Sequence, residues 1–203
     1  NSTTQDITVN VTNVNDVAPV ISSSATFSAS ENQTTIGTVE ATDAEGDDLT
    51  YAVSGSDISI SSSGVLSFIS APDYESQTAY TATITVSDGE LSDTQDITVN
   101  VTDVNEAPTF TSSATFSAAE NQTAIGTVIA SDVDGDTLTY SISGSDITIN
   151  SSSGVIAFAS APDYETESSY TATVTASDGT NSTTQSITVN ITDVNEAPVF
   201  TSS

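Results

Sequence analysis

The chain has no lysine, no arginine and no histidine among its 203 residues, against 28 Asp and Glu. Side-chain salt bridges are therefore impossible. Each carboxylate must be served by N–H groups, hydroxyls, water or cations from outside. A formal net charge of −28 opposes nucleic acid, anionic lipid and acidic substrates, and it draws divalent metal. Cysteine is absent too, which excludes a disulfide scaffold and a thiolate metal site. Without histidine or cysteine there is neither a catalytic triad nor thiol chemistry. No run of about 18 apolar residues occurs, so no helical membrane span is expected. The chain has no initiator Met and no basic leader, and it opens in mid-pattern, so it is expected to be part of a longer protein. Hydrophobic residues make up only 35%. Composition alone leaves disorder open; the periodicities that follow argue against it.

Self-comparison shows a tandem repeat of about 90 residues. Residues 23–60 match residues 112–149 closely, and Ser-Ala-Pro-Asp-Tyr-Glu occurs at 70–75 and again at 160–165. Pro19, Pro108 and Pro198 mark three joints. The expected units are residues 18–106 and 107–196. Residues 1–10 match residues 181–190, so residues 1–17 read as the last strand of a preceding repeat. Residues 197–203 read as the start of a following one. Within a repeat the hydrophobic period is two. Ile187, Val189 and Ile191 alternate with Thr188, Asn190 and Thr192, and Tyr170, Ala172, Val174 and Ala176 with Thr171, Thr173 and Thr175. Such half-apolar, β-branched runs are strands, and turn residues separate them. About seven short strands per repeat, with no helical stripe, predict an all-β chain of tandem immunoglobulin-like Greek-key β-sandwiches.

The acids fall at a few turn and strand-end positions, once per repeat. Those that recur in this way include Glu31 and Glu120; Asp73 with Glu75 and Asp163 with Glu165; Asp43 with Glu45 and Asp132 with Asp134; Asp88 and Asp178; and, in the joint, Asp103 and Glu106 with the amide Asn105. A single acidic turn residue is ordinarily a solvated or capping group. Several together are costly, since two unit charges about 4 Å apart repel by roughly 4 kcal/mol near a protein surface. Hard divalent cations take six to eight oxygen ligands of this kind, and the chain has no imidazole or thiolate to favour a softer metal.

The Glu of Glu-Asn, the Asp-x-Glu of Pro-Asp-Tyr-Glu, the joint Asp-Val-Asn-Glu-Ala-Pro, the Asp-x-Asp before Leu-Thr-Tyr and the Asp of Ser-Asp-Gly together resemble cadherin repeats. The likeness covers both full copies and all three joints. The Ser/Thr-rich style without basic residues is similar to cadherin-like arrays of large bacterial (RTX-type) surface adhesins. The resemblance implies calcium as cofactor at each joint. Carried over, the full inter-repeat set is Glu31, Asp73, Glu75, Asp103, the Val104 carbonyl, Asn105, Glu106, Asp132, Asp134 and Asp178. A partial upstream set is Asn15, Asp16, Asp43, Glu45 and Asp88. A partial downstream set is Glu120, Asp163, Glu165, Asp193, Asn195 and Glu196. Two departures stand out. Glu106 sits where the family has Asp, and Asn13 where the pattern wants Asp.

Other motifs carry less. Asp132–Asp136 opens like an EF-hand loop, but Thr137 and Ser143 occupy the positions that need Gly and Glu. Asp73 and Glu75 lack the cleft a glycosidase pair requires. Gly37 and Gly126 read as turn or bulge residues. Tyr51, Tyr74, Tyr80 and their copies read as core caps. The expected function is a calcium-rigidified extracellular spacer of a bacterial cell-surface adhesin, acting in adhesion or biofilm, with calcium and neighbouring repeats as partners. No enzyme activity, nucleic acid or membrane insertion is expected. Two alternatives stay open. One is a repeat that itself binds cell-surface polysaccharide or associates with a sister chain. The other is an acidic halophile protein without specific metal.

Overall fold

The computed structural model describes residues 1–12 and 14–198. Asn13, and the part of the expected following repeat at 199–203, lie outside the described residues. The chain divides into two compact units, Asn1–Val104 and Asn105–Ser203.

In unit 1 the strands are β1 Val20–Ile21, β2 Thr26–Ser30, β3 Thr35–Thr38, β4 Ala41–Thr42, β5 Thr50–Val53, β6 Ile58–Ile60, β7 Val65–Phe68, β8 Ala79–Ser87 and β9 Ser92–Thr102. They form a four-stranded sheet in the order β2-β9-β8-β5, a three-stranded sheet β3-β7-β6 and the short pair β1-β4. Pairing is antiparallel except for β2, which runs parallel to β9 with Phe27 opposite Val99. Unit 2 repeats this plan with β10 Thr109–Phe110, β11 Thr115–Ala119, β12 Ala124–Thr127, β13 Ala130–Ser131, β14 Thr139–Ile142, β15 Ile147–Ile149, β16 Val155–Phe158, β17 Ser169–Ser177 and β18 Ser182–Thr192. Its sheets are β11-β18-β17-β14, β12-β16-β15 and β10-β13.

The period-two pattern fixes which face is buried. Along β8, Ile84 and Val86 are fully buried, as are Ile97 and Val99 on β9, and Leu66 meets them from β7. Thr81, Thr83 and Thr85 take the intervening outward positions. Burying each such aliphatic side chain contributes roughly 1.5–3 kcal/mol before entropy is counted. Phe68 stacks edge-on against Tyr80 at 5.0 Å, and Phe158 against Tyr170 at 5.1 Å. Tyr51, Tyr74 and Tyr80 pack on the unit 1 core. In unit 2, Tyr140 and Tyr170 pack on the core while Tyr164 is exposed, so one tyrosine copy does not cap it. Gly37 and Gly126 sit at register shifts in β3 and β12, each against a phenylalanine ring. Gly64 has φ +81° and faces the Val39 carbonyl so closely that a Cβ would collide with it; its own carbonyl accepts the Val39 N–H at 2.8 Å.

Residues 1–12 carry no strand. Residues 5–12 are identical in sequence to residues 95–102 within β9. Ile7, Val9 and Val11 are 80%, 79% and 92% exposed, whereas Ile97, Val99 and Val101 are 2%, 0% and 5%. The same residues are buried or bare according to whether a sheet receives them.

Candidate metal centres

Each unit gathers acids at both of its ends. At the C-terminal end of unit 1, β2 runs directly into Glu31, and Asn32 follows with φ +60°, turning the chain back. Glu31 is only 3% exposed. Its Oε2 accepts the Tyr74 N–H and its Oε1 the Val104 N–H, both at 2.8 Å. One carboxylate thus fastens the end of β2 to the Pro-Asp-Tyr-Glu turn and to the segment leaving β9. Glu31, Glu75 and Asp103 each present an oxygen within 4.8 Å of the others. Asp73 is turned to Ser76, whose hydroxyl (2.9 Å) and N–H (3.2 Å) it accepts. The Ser76 hydroxyl holds the Asp73 carboxyl below its usual range, against a smaller upward push from burial.

Unit 2 repeats this arrangement. Glu120, also 3% exposed, accepts the Tyr164 and Val194 N–H groups, both at 2.8 Å. Glu120, Glu165, Asp193 and Glu196 bring four carboxylates within 4.8 Å. The Asn121 amide donates to Glu196 Oε1 at 2.8 Å, and Asn195 donates to the Glu196 carbonyl. Asp163 is occupied by the Thr166 hydroxyl at 3.0 Å and the Glu165 N–H at 3.1 Å. The Glu165 carboxyl is drawn down by its own N–H, but burial and the negative charges of Glu120 and Glu196 outweigh that and leave it raised.

At the N-terminal end of unit 1, Asp43 Oδ1 accepts the N–H groups of Glu45, Gly46 and Asp47 at 2.8, 2.9 and 3.2 Å. Glu45 Oε2 accepts those of Asp16 and Val17 at 3.0 and 3.1 Å. Asp88 Oδ1 accepts Leu91 at 2.7 Å and Glu90 at 2.8 Å, and the Leu91 N–H leads in holding its carboxyl below the usual range. Three oxygens here, Asn15 Oδ1, Asp43 Oδ2 and Asp88 Oδ2, are buried and receive no hydrogen bond.

The same end of unit 2 has Asp132 Oδ1 accepting Asp134 N–H at 3.1 Å and Asp134 Oδ2 accepting Glu106 N–H at 2.9 Å. The Asn105 amide donates to Asp178 Oδ2 at 3.0 Å, and Asn181 donates to the Asn105 carbonyl at 2.9 Å. Burial pushes the Asp178 carboxyl up, but the Asn105 amide and the Thr180 and Asn181 N–H groups leave it net lowered. Asp132 Oδ2 and Asp134 Oδ1 are buried without a hydrogen bond. Asp47 and Asp136 complete three-acid groups with Asp43/Glu45 and Asp132/Asp134. Both escaped the sequence reading, although continued alternation of acids past the Asp-x-Asp or Asp-x-Glu pair marks them.

Buried carboxylate oxygens without donors are expensive. This chain offers no cationic side chain to relieve them. The donor set is all oxygen, as hard divalent cations require. On this test the acid groups fit a bound metal.

The comparisons agree with the geometry. Residues 114–192 match the cadherin domain family and residues 15–101 the bacterial Ig domain family. Repeats EC1-2 of human protocadherin-24 superpose with a TM-score of 0.64 at 22% identity, covering 89% of this chain and all of theirs. The fold is cadherin-like. Among curated relatives, human Protocadherin Fat 1 is 36% identical over 161 residues, 69% of this chain and 4% of its own length. Chitinase A of Pseudoalteromonas piscicida is 32% identical over 187 residues, 90% of this chain and 23% of its own. The chain thus spans a minor part of these relatives. Cadherin domains in general bind calcium, are extracellular or cell-surface modules and are generally not enzymes. The cadherin-like units described here contain acid groups that could hold such an ion.

Proposed function

We propose that the chain is a calcium-binding extracellular spacer, two cadherin-like repeats from a bacterial cell-surface adhesin of the RTX type, acting in adhesion or biofilm. The observation that carries this reading is the set of buried, donor-less oxygens on Asn15, Asp43, Asp88, Asp132 and Asp134 in a chain without Lys, Arg or His. We assign one shared set of ligands to the joint: Glu31, Asp73, Glu75, Asp103, the Val104 carbonyl, Asn105, Glu106, Asp132, Asp134 and Asp178. The upstream set (Asn15, Asp16, Asp43, Glu45, Asp88) and the downstream set (Glu120, Asp163, Glu165, Asp193, Asn195, Glu196) are partial sites. When bound, calcium supplies the positive charge that several carboxylates share. The chain's own part is to hold those carboxylates ready. Glu31 and Glu120 are fixed by paired N–H groups, and Asp43 and Asp132 by their own turns. Val104 and Asn105 are consecutive, so ordering the acids on either side of that bond restricts the joint.

Calorimetric titration with calcium tests the reading, with magnesium as the comparison and high salt as a second condition. Binding heat that survives high salt supports it, whereas loss of all calcium heat there favours an acidic halophile surface. Small-angle scattering should change on chelation, and an unchanged profile would remove the hinge. A second reading has its own support. The outward positions of β17 and β18 in unit 2 are Thr171, Thr173, Thr175, Thr184, Ser186 and Thr188, uncharged in an otherwise acidic chain, and one relative is a chitinase by name. That face suits a neutral polysaccharide, which a glycan array would detect.

A further inference from the structure

Three Asp–Gly steps occur in the chain: Asp88–Gly89, Asp134–Gly135 and Asp178–Gly179. The structure treats one of them differently. The Gly89 N–H donates to Ser87 Oγ and the Gly179 N–H to Ser177 Oγ, both at 3.1 Å. Asp88 Oδ1 is held by the Glu90 and Leu91 N–H groups, and Asp178 Oδ1 by those of Thr180 and Asn181. At Asp134–Gly135 neither restraint is present. Among the described residues the Gly135 N–H makes no hydrogen bond. Among the described residues Asp134 Oδ2 holds one N–H, that of Glu106, and Oδ1 has no hydrogen bond, as Asp88 Oδ2 has none; what Asp134 lacks is a bond to the N–H groups that follow its glycine. All three glycines have positive φ and open space where a Cβ would stand, so what separates Gly135 is its N–H, which no acceptor holds.

We propose that Asp134–Gly135 is a site of spontaneous isoaspartate formation, selected by the fold over the other two Asp–Gly steps. The Gly135 nitrogen attacks Asp134 Cγ, and an N–Cγ bond forms as the proton leaves nitrogen. The Cγ–O bond breaks, and its oxygen departs as water with that proton and the carboxyl proton. The product is a cyclic imide. Water then opens the ring. Attack at Cγ restores aspartate, while attack at the Asp134 main-chain carbonyl leaves the chain running through Cγ and the free carboxylate on Cα. Nothing is oxidised or reduced, and one water leaves and one returns. The isomer adds a methylene to the main chain in the loop that clasps Glu106 N–H. Unit 1 is protected at the matching place, because the residue is Glu45, whose imide ring is larger, and the Gly46 N–H is bound to Asp43.

The test holds the full chain, with chelator, at neutral pH and physiological temperature. Samples taken over days are cut with glutamyl endopeptidase, since the chain has no site for trypsin, and isoaspartate is located by electron-transfer fragmentation. The expected result is several-fold faster accumulation at residue 134 than at 88 or 178, with the three rates converging in urea. Asp134→Glu should abolish the modification there and leave the rate at Asp88, in the other unit, unchanged. Equal rates at the three steps in the folded chain overturn the proposal. So does a difference that persists undiminished in urea, since local sequence would then account for it.

Discussion

At the N-terminal end of unit 1 the joint acid is Asp16 and the loop acid is Glu45; at the same place in unit 2 the joint acid is Glu106 and the loop acid is Asp134. The arm lengths are exchanged. Glu45 reaches two N–H groups, those of Asp16 and Val17, while the shorter Asp134 reaches the Glu106 N–H alone. At the other end nothing is exchanged. Glu31 and Glu120 are equally buried and make the same two bonds at the same distance. A carboxylate sealed in protein must match both donors in position, so its length is fixed. A half-exposed pair can trade a methylene across the gap. The Glu at 106 that departs from the family pattern is therefore accompanied by a shorter acid opposite.

The largest expected effect falls on the invariant pair. Glu31→Ala and Glu120→Ala each strand two N–H groups, at roughly 1–3 kcal/mol for each group left unsatisfied. The two substitutions should cost alike in urea unfolding monitored unit by unit. A large loss at one and none at the other would break the equivalence. Calcium removal comes next. Saturation at a hundredfold over Kd stabilises the binding state by about 2.7 kcal/mol per site. Chelation should lower the calorimetric Tm of both units, and a response confined to one would show that the exchanged arms do not build equivalent sites. Third is the exchange itself. Glu45→Asp should lose at least one N–H bond, about 0.5–1.5 kcal/mol at most in this exposed setting. Adding Asp16→Glu makes unit 1 resemble unit 2 and should recover calcium affinity in titration. No recovery would mean the two positions act independently.

Much of this was legible in the residues. Period-two runs such as Ile187, Val189 and Ile191 gave the strands and their buried faces, because alternation and sheet pleat share a period. The repeat gave the architecture twice over. The acid positions were visible, and Glu31, Glu75 and Asp103 do converge. What a sequence does not show is which oxygen is already spent. Asp73 and Glu75 look alike as Asp-x-Glu, yet the Ser76 hydroxyl takes Asp73. Asp43 and Asp132 each use one oxygen to shape their own turn and leave the other bare. Side-chain hydrogen bonds of this kind depend on turn geometry a few tenths of an ångström wide, which letters do not encode.

The smallest expected effect is a pH dependence that separates the two ends of unit 2. Glu165 has a folded pKa raised above its unfolded one. The folded state therefore holds more protons in that window, and the stability this contributes is fully present below the unfolded value and lost as pH rises through the folded one. Asp178 is shifted the other way. Its contribution is present above the unfolded value and lost as pH falls through the folded one. Without calcium, acidification from neutral should thus first raise the Tm of unit 2, as Glu165 takes a proton beside Glu120 and Glu196, and lower it only at more acid pH as Asp178 protonates. Glu165→Gln should remove the initial rise and spare the later fall. With calcium present the rise should vanish, because a proton on Glu165 then competes with the cation instead of relieving bare repulsion. A rise that persists in saturating calcium would mean the four carboxylates at that end hold no ion.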